Sequence, residues 1–282
     1  MIRNSFIQVP GVGATTERRL WEAGVLSWDH FVPPYPPFLS GRQVSLIASH
    51  LERGRRLCAD SPEAAWSLLP ARERWRLFPL FRHSVAYLDI ETDGLRMEES
   101  QVTAISLYDG MAVYTYAPGR NLEHFVEDVE RYSLLVTYNG AAFDLPMLRR
   151  YFGISLAKPH LDLRPLMQSL GFRGGLKGCE KHLGLDRGEL AGVDGYAAVL
   201  LWQEYQRTGE ARVLETLLAY NLEDTVNLEA LLVAAYNLKL ADTPFAESHR
   251  LPAPPQPPRP MTPHPEVVAR VLKYRHRFSA PW

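Results

Sequence analysis

The apolar run from Val85 to Leu95, VAYLDIETDGL, constrains the fold more than any other stretch of the chain. It has the composition of a buried strand, yet Asp89 and Glu91 stand two residues apart inside it. Side chains two apart on a strand share a face, so the two carboxylates point the same way and repel each other. A chain that folds around this strand must supply compensating positive charge there.

The rest of the sequence shows what surrounds that strand. From Ser84 onward, short β-type runs at 85–90, 101–108 and 111–116 follow one another, with Asp109-Gly110 marking a hairpin between the last two. A helix-like segment, NLEHFVEDVERY, precedes a buried-strand run, LLVTY, at 134–138, and the pattern is then mainly helical to about Leu240. This order predicts an α/β domain over residues 83–240 with a mixed sheet flanked by helices. Residues 1–82 read as a small helical region. It has a glycine turn feeding an amphipathic helix, a proline-rich link, a helical stretch from Gln43 to Leu57 and a third helical pattern from Trp66 to Trp75. Residues 241–282 read as a proline-rich extended tail, LPAPPQPPRP at its centre, followed by a short basic helix, EVVARVLKYRHRF.

The overall net charge of -1 hides an uneven distribution. Residues 1–82 carry 11 arginines and no lysine against 7 acids, residues 83–240 carry 14 basic and 22 acidic residues, and residues 241–282 carry 6 basic against 3 acidic. An acidic middle between basic ends fits a cation-binding centre whose flanks meet a polyanion; a charge-mixed solvated surface is the plain alternative. Only two cysteines occur, far apart, which argues against a disulfide framework or a structural zinc site and leaves oxygen ligands for any metal. No targeting pattern and no apolar run of roughly 18 residues is present, so the expectation is a cytoplasmic protein without a membrane partner.

Two further acids sit in sequences built for burial. Asp144 lies in YNGAAFDLPML, where Asn139 and Gly140 break a strand and a helix begins near Asp144. Asp224 lies in the apolar helical run LLAYNLEDTVNLEALL, four residues after Tyr220 on the same face. Buried carboxylates cost several kcal/mol each unless paired, and the local sequence offers no dedicated Arg or Lys for all four. Divalent magnesium or manganese prefers oxygen ligands, and two such ions make the clamp used in phosphoryl hydrolysis.

LDIETDG, YNGAAFD and YNLED, in this order, resemble the three signature segments of the DEDD 3′-5′ exonucleases of the ribonuclease-H-like superfamily. Tyr220 four residues before Asp224 indicates the tyrosine subtype. HLDLRPLMQSLGFRGGLKGCEKHLG with the helical runs that follow is similar to the YprB-like, predicted exonuclease branch. The resemblance covers roughly residues 84–238. It implies that Asp89 bridges two divalent cations, Mg²⁺ or Mn²⁺, that Glu91 and Asp224 complete one site, that Asp144 helps hold the second through water, and that Tyr220 orients the attacking water. The activity implied is release of nucleoside 5′-monophosphates from single-stranded or frayed 3′ ends. The alternatives are a catalytically weak nucleic-acid-binding module, a structure-specific endonuclease or an RNA exonuclease.

Smaller expectations surround this set. Lys177, in the turn that opens the helix at Gly174-Gly175, is a candidate phosphate ligand. Asn139 either contacts substrate or caps a turn, and Asp162 caps the helix after it rather than joining the catalytic group. Asp93 stays outside the acidic cluster because Gly94 turns the strand. VPGVGATTERRL resembles the hairpin of a helix-hairpin-helix element, in which Gly11 and Gly13 let backbone amides approach a phosphate with Arg18 just beyond. This favours DNA over RNA as substrate. The proline-rich tail is a tether or a strip for a protein partner.

Overall fold

The computed structural model of the chain describes residues 1–94, 99–190 and 192–278, the side chains of 274–278 excepted. Leu95, at the end of the acidic strand run, and the last side chains of the basic helix lie outside the described residues. The chain forms two compact units, one of residues 1–83 and 235–252, the other of residues 84–234 and 253–282.

The first unit is helical. It contains α1 (Ala14–Glu22), α2 (Gly41–Asp60), α3 (Pro62–Trp66) and α4 (Phe78–Phe81), with 3-10 turns at Ile2–Asn4, Trp28–His30 and Ala71–Leu77. Ser40 and Gln43 close α2 with a reciprocal capping box. The helical pattern expected from Trp66 to Trp75 is in fact two short pieces. Pro70 biases Leu69 away from helical geometry, so α3 stops before it and a 3-10 turn starts after it. Phe6, Leu20, Trp28, Ile47, Leu51, Phe78 and Phe81 are buried, and Trp75 and Phe78 pack edge-on against Tyr236.

Glu17 organises the start of this unit. Its carboxylate accepts from the amides of Phe6 (2.7 Å) and Ile7 (3.1 Å) and from Ser5 Oγ (3.0 Å), and both its oxygens take the Arg76 guanidinium at 2.9 Å. Both charges are buried. Removing one partner of such a pair strands the other, at a cost of about 3–5 kcal/mol. Glu17→Gln is therefore expected to lower unfolding stability on that scale in denaturant titration, whereas exposed Arg18→Gln next to it should change stability by less than about 0.5 kcal/mol.

The second unit is a five-stranded mixed sheet with helices. Its elements in chain order are β1 (Val85–Thr92), β2 (Val102–Tyr108), β3 (Val113–Tyr116), α5 (Phe125–Glu130), β4 (Leu134–Thr137), α6 (Asp144–Phe152), β5 (His160–Asp162), α7 (Leu163–Ser169), α8 (Gly175–Leu183), α9 (Gly195–Thr208), α10 (Ala211–Leu240, divided between the units at Ala234) and α11 (Pro265–Phe278). The strand order is β3-β2-β1-β4-β5. The first three strands are antiparallel, while β4 and β5 run parallel to β1. The β2–β3 turn is built as the sequence suggests, with the Asp109 carboxylate accepting from the amides of Met111 and Ala112 at 2.9 and 2.8 Å.

Alternation along β1 divides its residues between two cores. Ala86, Leu88 and Ile90 join one cluster with Phe125, Val129, Met147 and Leu148 of α5 and α6. Tyr87, Asp89 and Glu91 point to the other face. The cluster on that side draws on α9, α10 and α11, including Trp202, Leu217, Tyr220, Val267 and Val271. Residues 253–264 carry no helix or strand, as their prolines require, but they are docked on their own unit. Arg259 pairs with Glu223 of α10 at 2.8 Å, and α11 buries Val267, Val268 and Val271. Among the described residues no helix is long and apolar enough to cross a membrane.

Candidate metal and nucleic-acid site

The acids meet where the sheet changes direction. β1 pairs with β4 at Val85↔Leu134, Ala86↔Leu135 and Tyr87↔Val136, and β4 ends one residue later at Thr137. β1 continues to Thr92. Asp89 and Glu91 therefore lie past the last paired residue of β4, above the carboxyl ends of the parallel strands, where an open α/β sheet leaves a crevice. The chain turns sharply out of β4 because Asn139 adopts a positive φ of 68° and Gly140 fits against Thr137. A Cβ at Gly140 would sit 2.1 Å from Thr137 Oγ1, so no other residue fits there without displacing the strand end.

Asp144, the first residue of α6, fills the place that β4 vacates. Its Oδ1 accepts the Ile90 amide at 3.2 Å, a donor that would otherwise seek a carbonyl on the next strand. Asp224 arrives from α10. A ligand oxygen from each of Asp89, Glu91 and Asp224 lies within 4.8 Å of the others. Asp144 is buried beside this triad but is not one of its three members.

Burial and mutual repulsion dominate the electrostatics. Burial, then Asp144, Asp224 and Glu91, push Asp89 well above the ordinary carboxyl range, against one hydrogen bond from Asn221. Glu91 is also raised well above it by burial and by Asp224 and Asp144, with Lys177 and Arg187 pulling the other way. Burial lifts Asp144 to about 7 even though two backbone amides favour its charged form. Burial also raises the Tyr220 phenol, with Asp224, Glu91 and Asp89 adding to it, so Tyr220 keeps its proton.

Two of the neighbours, Asn221 and Arg187, carry no motif that marks them in the sequence. Asn221 Nδ2 donates to Asp89 Oδ2 at 2.7 Å. Its only signal in the sequence is a buried-type polar residue in a helix that also carries Glu223, Thr225 and Asn227, so nothing singles it out. Arg187 ion-pairs with Asp224, supplying a partner that local sequence did not reveal, and its other arm reaches Glu180 at 2.6 Å. Lys177 donates to Tyr220 Oη at 3.1 Å and also to the Val193 carbonyl, and its ammonium lies 4.9 Å from the Tyr220 ring centre. Asp162 caps α7 and also accepts from the amides of Asn139 (2.8 Å) and Ala141 (3.1 Å), fixing the turn after β4. Asp93 is engaged elsewhere, accepting from the Gln101 amide.

These groups open onto a cleft of about 660 Å³ lined by Asp89, Glu91, Tyr220, Asp224, Asn139 and Lys177. Arg164, Arg173, Tyr138 and Phe172 complete a basic and aromatic wall in the same cleft. Asn139 Oδ1 accepts from Arg164 Nη1 at 2.7 Å, so Asn139 holds a cleft arginine in place. Gly11, Gly13 and Arg18 belong to the other unit and are exposed there. Gly11 has φ 80°, and Gly13 caps α1 without a side-chain hydrogen bond. Only the three-residue turn Ile2–Asn4 stands where a helix-hairpin-helix element would have its first helix.

The family model of the RNase_H superfamily matches residues 86–236, just over half of the chain. The chain belongs to the RNase_H superfamily. No curated protein matches it. Among solved structures it is similar to the family B DNA polymerase from the hyperthermophilic archaeon Pyrobaculum calidifontis, at 14% identity and a TM-score of 0.41. That similarity covers 60% of this chain and 27% of the polymerase chain. The matched region contains all three members of the acidic triad.

The donor set fits a hard cation. Three carboxylates converge, burial penalises the charge of Asp89 and Glu91, and Asn221 and Arg187 satisfy only part of it. Metal binding should therefore stabilise the fold: Mn²⁺ at 100 times its dissociation constant adds about 2.7 kcal/mol. Thermal melts should show this as a Tm increase with Mn²⁺ or Mg²⁺ that Asp89→Asn abolishes. Without metal, Asp89→Asn should melt at or above the wild-type temperature, because it removes one of the mutually repelling charges.

Proposed function

We propose that this protein is a metal-dependent 3′-5′ exonuclease of the DEDD tyrosine subtype, acting on nucleic-acid ends by two-metal-ion phosphodiester hydrolysis. The observation that carries the reading is the convergence of Asp89, Glu91 and Asp224 with Tyr220 in one cleft, reached from two sequence segments 132 residues apart, with Asp144 of a third segment buried beside them.

Asp89, Glu91 and Asp224 would hold one divalent cation, Mg²⁺ or Mn²⁺, and Asp89 with Asp144 a second. Such cations neutralise charge on the scissile phosphate and make water a nucleophile near neutral pH. The protein's own groups have separate tasks. Asn221 fixes the Asp89 carboxylate. Tyr220 retains its proton, so it orients water or a phosphate oxygen by hydrogen bonding and does not act as a base. Lys177 holds the Tyr220 hydroxyl from the other side. Arg164 and Arg173 meet the phosphodiester backbone, while the half-buried Tyr138 offers ring surface to an unstacked base. Stacking and phosphate contact are both indifferent to sequence, which suits removal of successive nucleotides from a single-stranded or frayed end.

DNA is the favoured substrate, on the strength of the exposed turn at Gly11–Gly13 with Arg18 and the excess of arginine in the first unit. The docked tail leaves any protein partner to its exposed prolines. The test uses oligonucleotides of DNA and RNA labelled at either end, with Mn²⁺ or Mg²⁺. A 5′-labelled strand should give a descending ladder, and Asp89→Asn should reduce the rate by at least about 10²–10³-fold, the scale on which one electrostatic stabiliser contributes. Tyr220→Phe should lose most of the rate and keep metal binding. Cutting of a closed circle would point to an endonuclease. Tight, salt-sensitive binding without cleavage under any divalent metal would point to a binding module.

A further inference from the structure

Arg187 lies in none of the acidic segments, yet it touches two of the residues they contribute. Its side chain is only 9% exposed and is gripped from both ends. One arm pairs with Asp224 Oδ1, the other with Glu180 Oε2 at 2.6 Å, and the guanidinium lies 5.6 Å from the centre of the Tyr220 ring. Glu180 is itself 1% exposed, and its second oxygen accepts from Asn227 Nδ2 at 2.9 Å. Asn227 in turn donates to Glu223, which the tail's Arg259 holds at 2.8 and 3.0 Å. The guanidinium thus has no freedom to swing away from α10, and it spans the face that carries Tyr220 and Asp224 one turn apart.

We infer that Arg187 is a positioning residue: anchored on Glu180, it fixes the Asp224 carboxylate so that one oxygen is committed to the guanidinium and the other is presented to a divalent cation shared with Asp89 and Glu91. This rests on the reading of the triad as a metal centre. The geometry separates two effects of opposite sign. As a mere positive charge, Arg187 repels a cation, and removing it would tighten metal binding. As a clamp, it removes the rotational freedom of Asp224 before the metal arrives, and removing it weakens binding. The two-armed grip on Glu180 and Asp224 favours the clamp, because a charge alone needs no second anchor. Residues that orient metal ligands in this way typically contribute 10–100-fold in affinity.

The experiment is calorimetric titration of the full chain with Mn²⁺, comparing wild type with Arg187→Gln, Arg187→Lys and Glu180→Gln, each checked for native circular dichroism. Arg187→Gln should bind Mn²⁺ 10–100-fold more weakly. Arg187→Lys, which keeps the charge but cannot bridge both carboxylates, should fail to restore wild-type affinity, and Glu180→Gln should show a smaller loss. A folded Arg187→Gln or Arg187→Lys variant that binds Mn²⁺ as tightly as wild type, or more tightly, overturns the inference. If Arg187→Gln does not fold, unchanged affinity in both remaining variants overturns it. If wild type takes up no Mn²⁺, the metal reading falls first and this inference with it.

Discussion

The early end of β4 is the constraint on which the rest of the second unit depends. A strand pair that stops at Tyr87↔Val136 leaves the outer part of β1 without a parallel neighbour on one side, and the amides and side chains there need other partners. Asp144 supplies one by accepting the Ile90 amide, and the space that remains is a cleft floored by carboxylates. The sharp exit of the chain at Asn139-Gly140, the close fit of Gly140 on Thr137 and the Asp162 hydrogen bonds into that turn all keep β4 short and the cleft open.

The second constraint is what buried charge demands. Four carboxylates collected in this region cannot all stay ionised on burial without compensation, and the structure shows how far the protein goes on its own: an amide from Asn221, a guanidinium from Arg187 and the more distant ammonium of Lys177. These partners orient the acids but leave Asp89 and Glu91 well above the ordinary carboxyl range. The same logic operates without chemistry in the first unit, where Glu17 and Arg76 are fully paired and hydrogen-bonded. A structural ion pair is completed within the chain; the triad is compensated only in part and could hold a metal ion.

The tail also changes meaning once its contacts are known. Its prolines keep residues 253–264 free of helix and strand, but Arg259 reaches Glu223 and α11 adds three valines to the core around α10. Glu223 connects through Asn227 to Glu180 and so to Arg187. The basic character of the tail, read from composition as a surface for a polyanion, is spent in part on holding its own unit together.

What the sequence determined by itself was the set of local patterns. Period-two alternation placed Asp89 and Glu91 on one face, the four-residue spacing placed Tyr220 with Asp224, and Asp109-Gly110 set the β2–β3 turn, because each depends only on the repeat of a strand, a helix or a turn. The helix expected from Trp66 to Trp75 failed on a local effect too, the restriction that Pro70 places on Leu69. Only the tertiary structure decided which charges meet. Arg187 lies 37 residues from Asp224 and Asn221 lies 132 from Asp89, distances at which no periodicity survives, so those pairings emerge only when the fold brings α10 within reach of β1 and of the loop after α8.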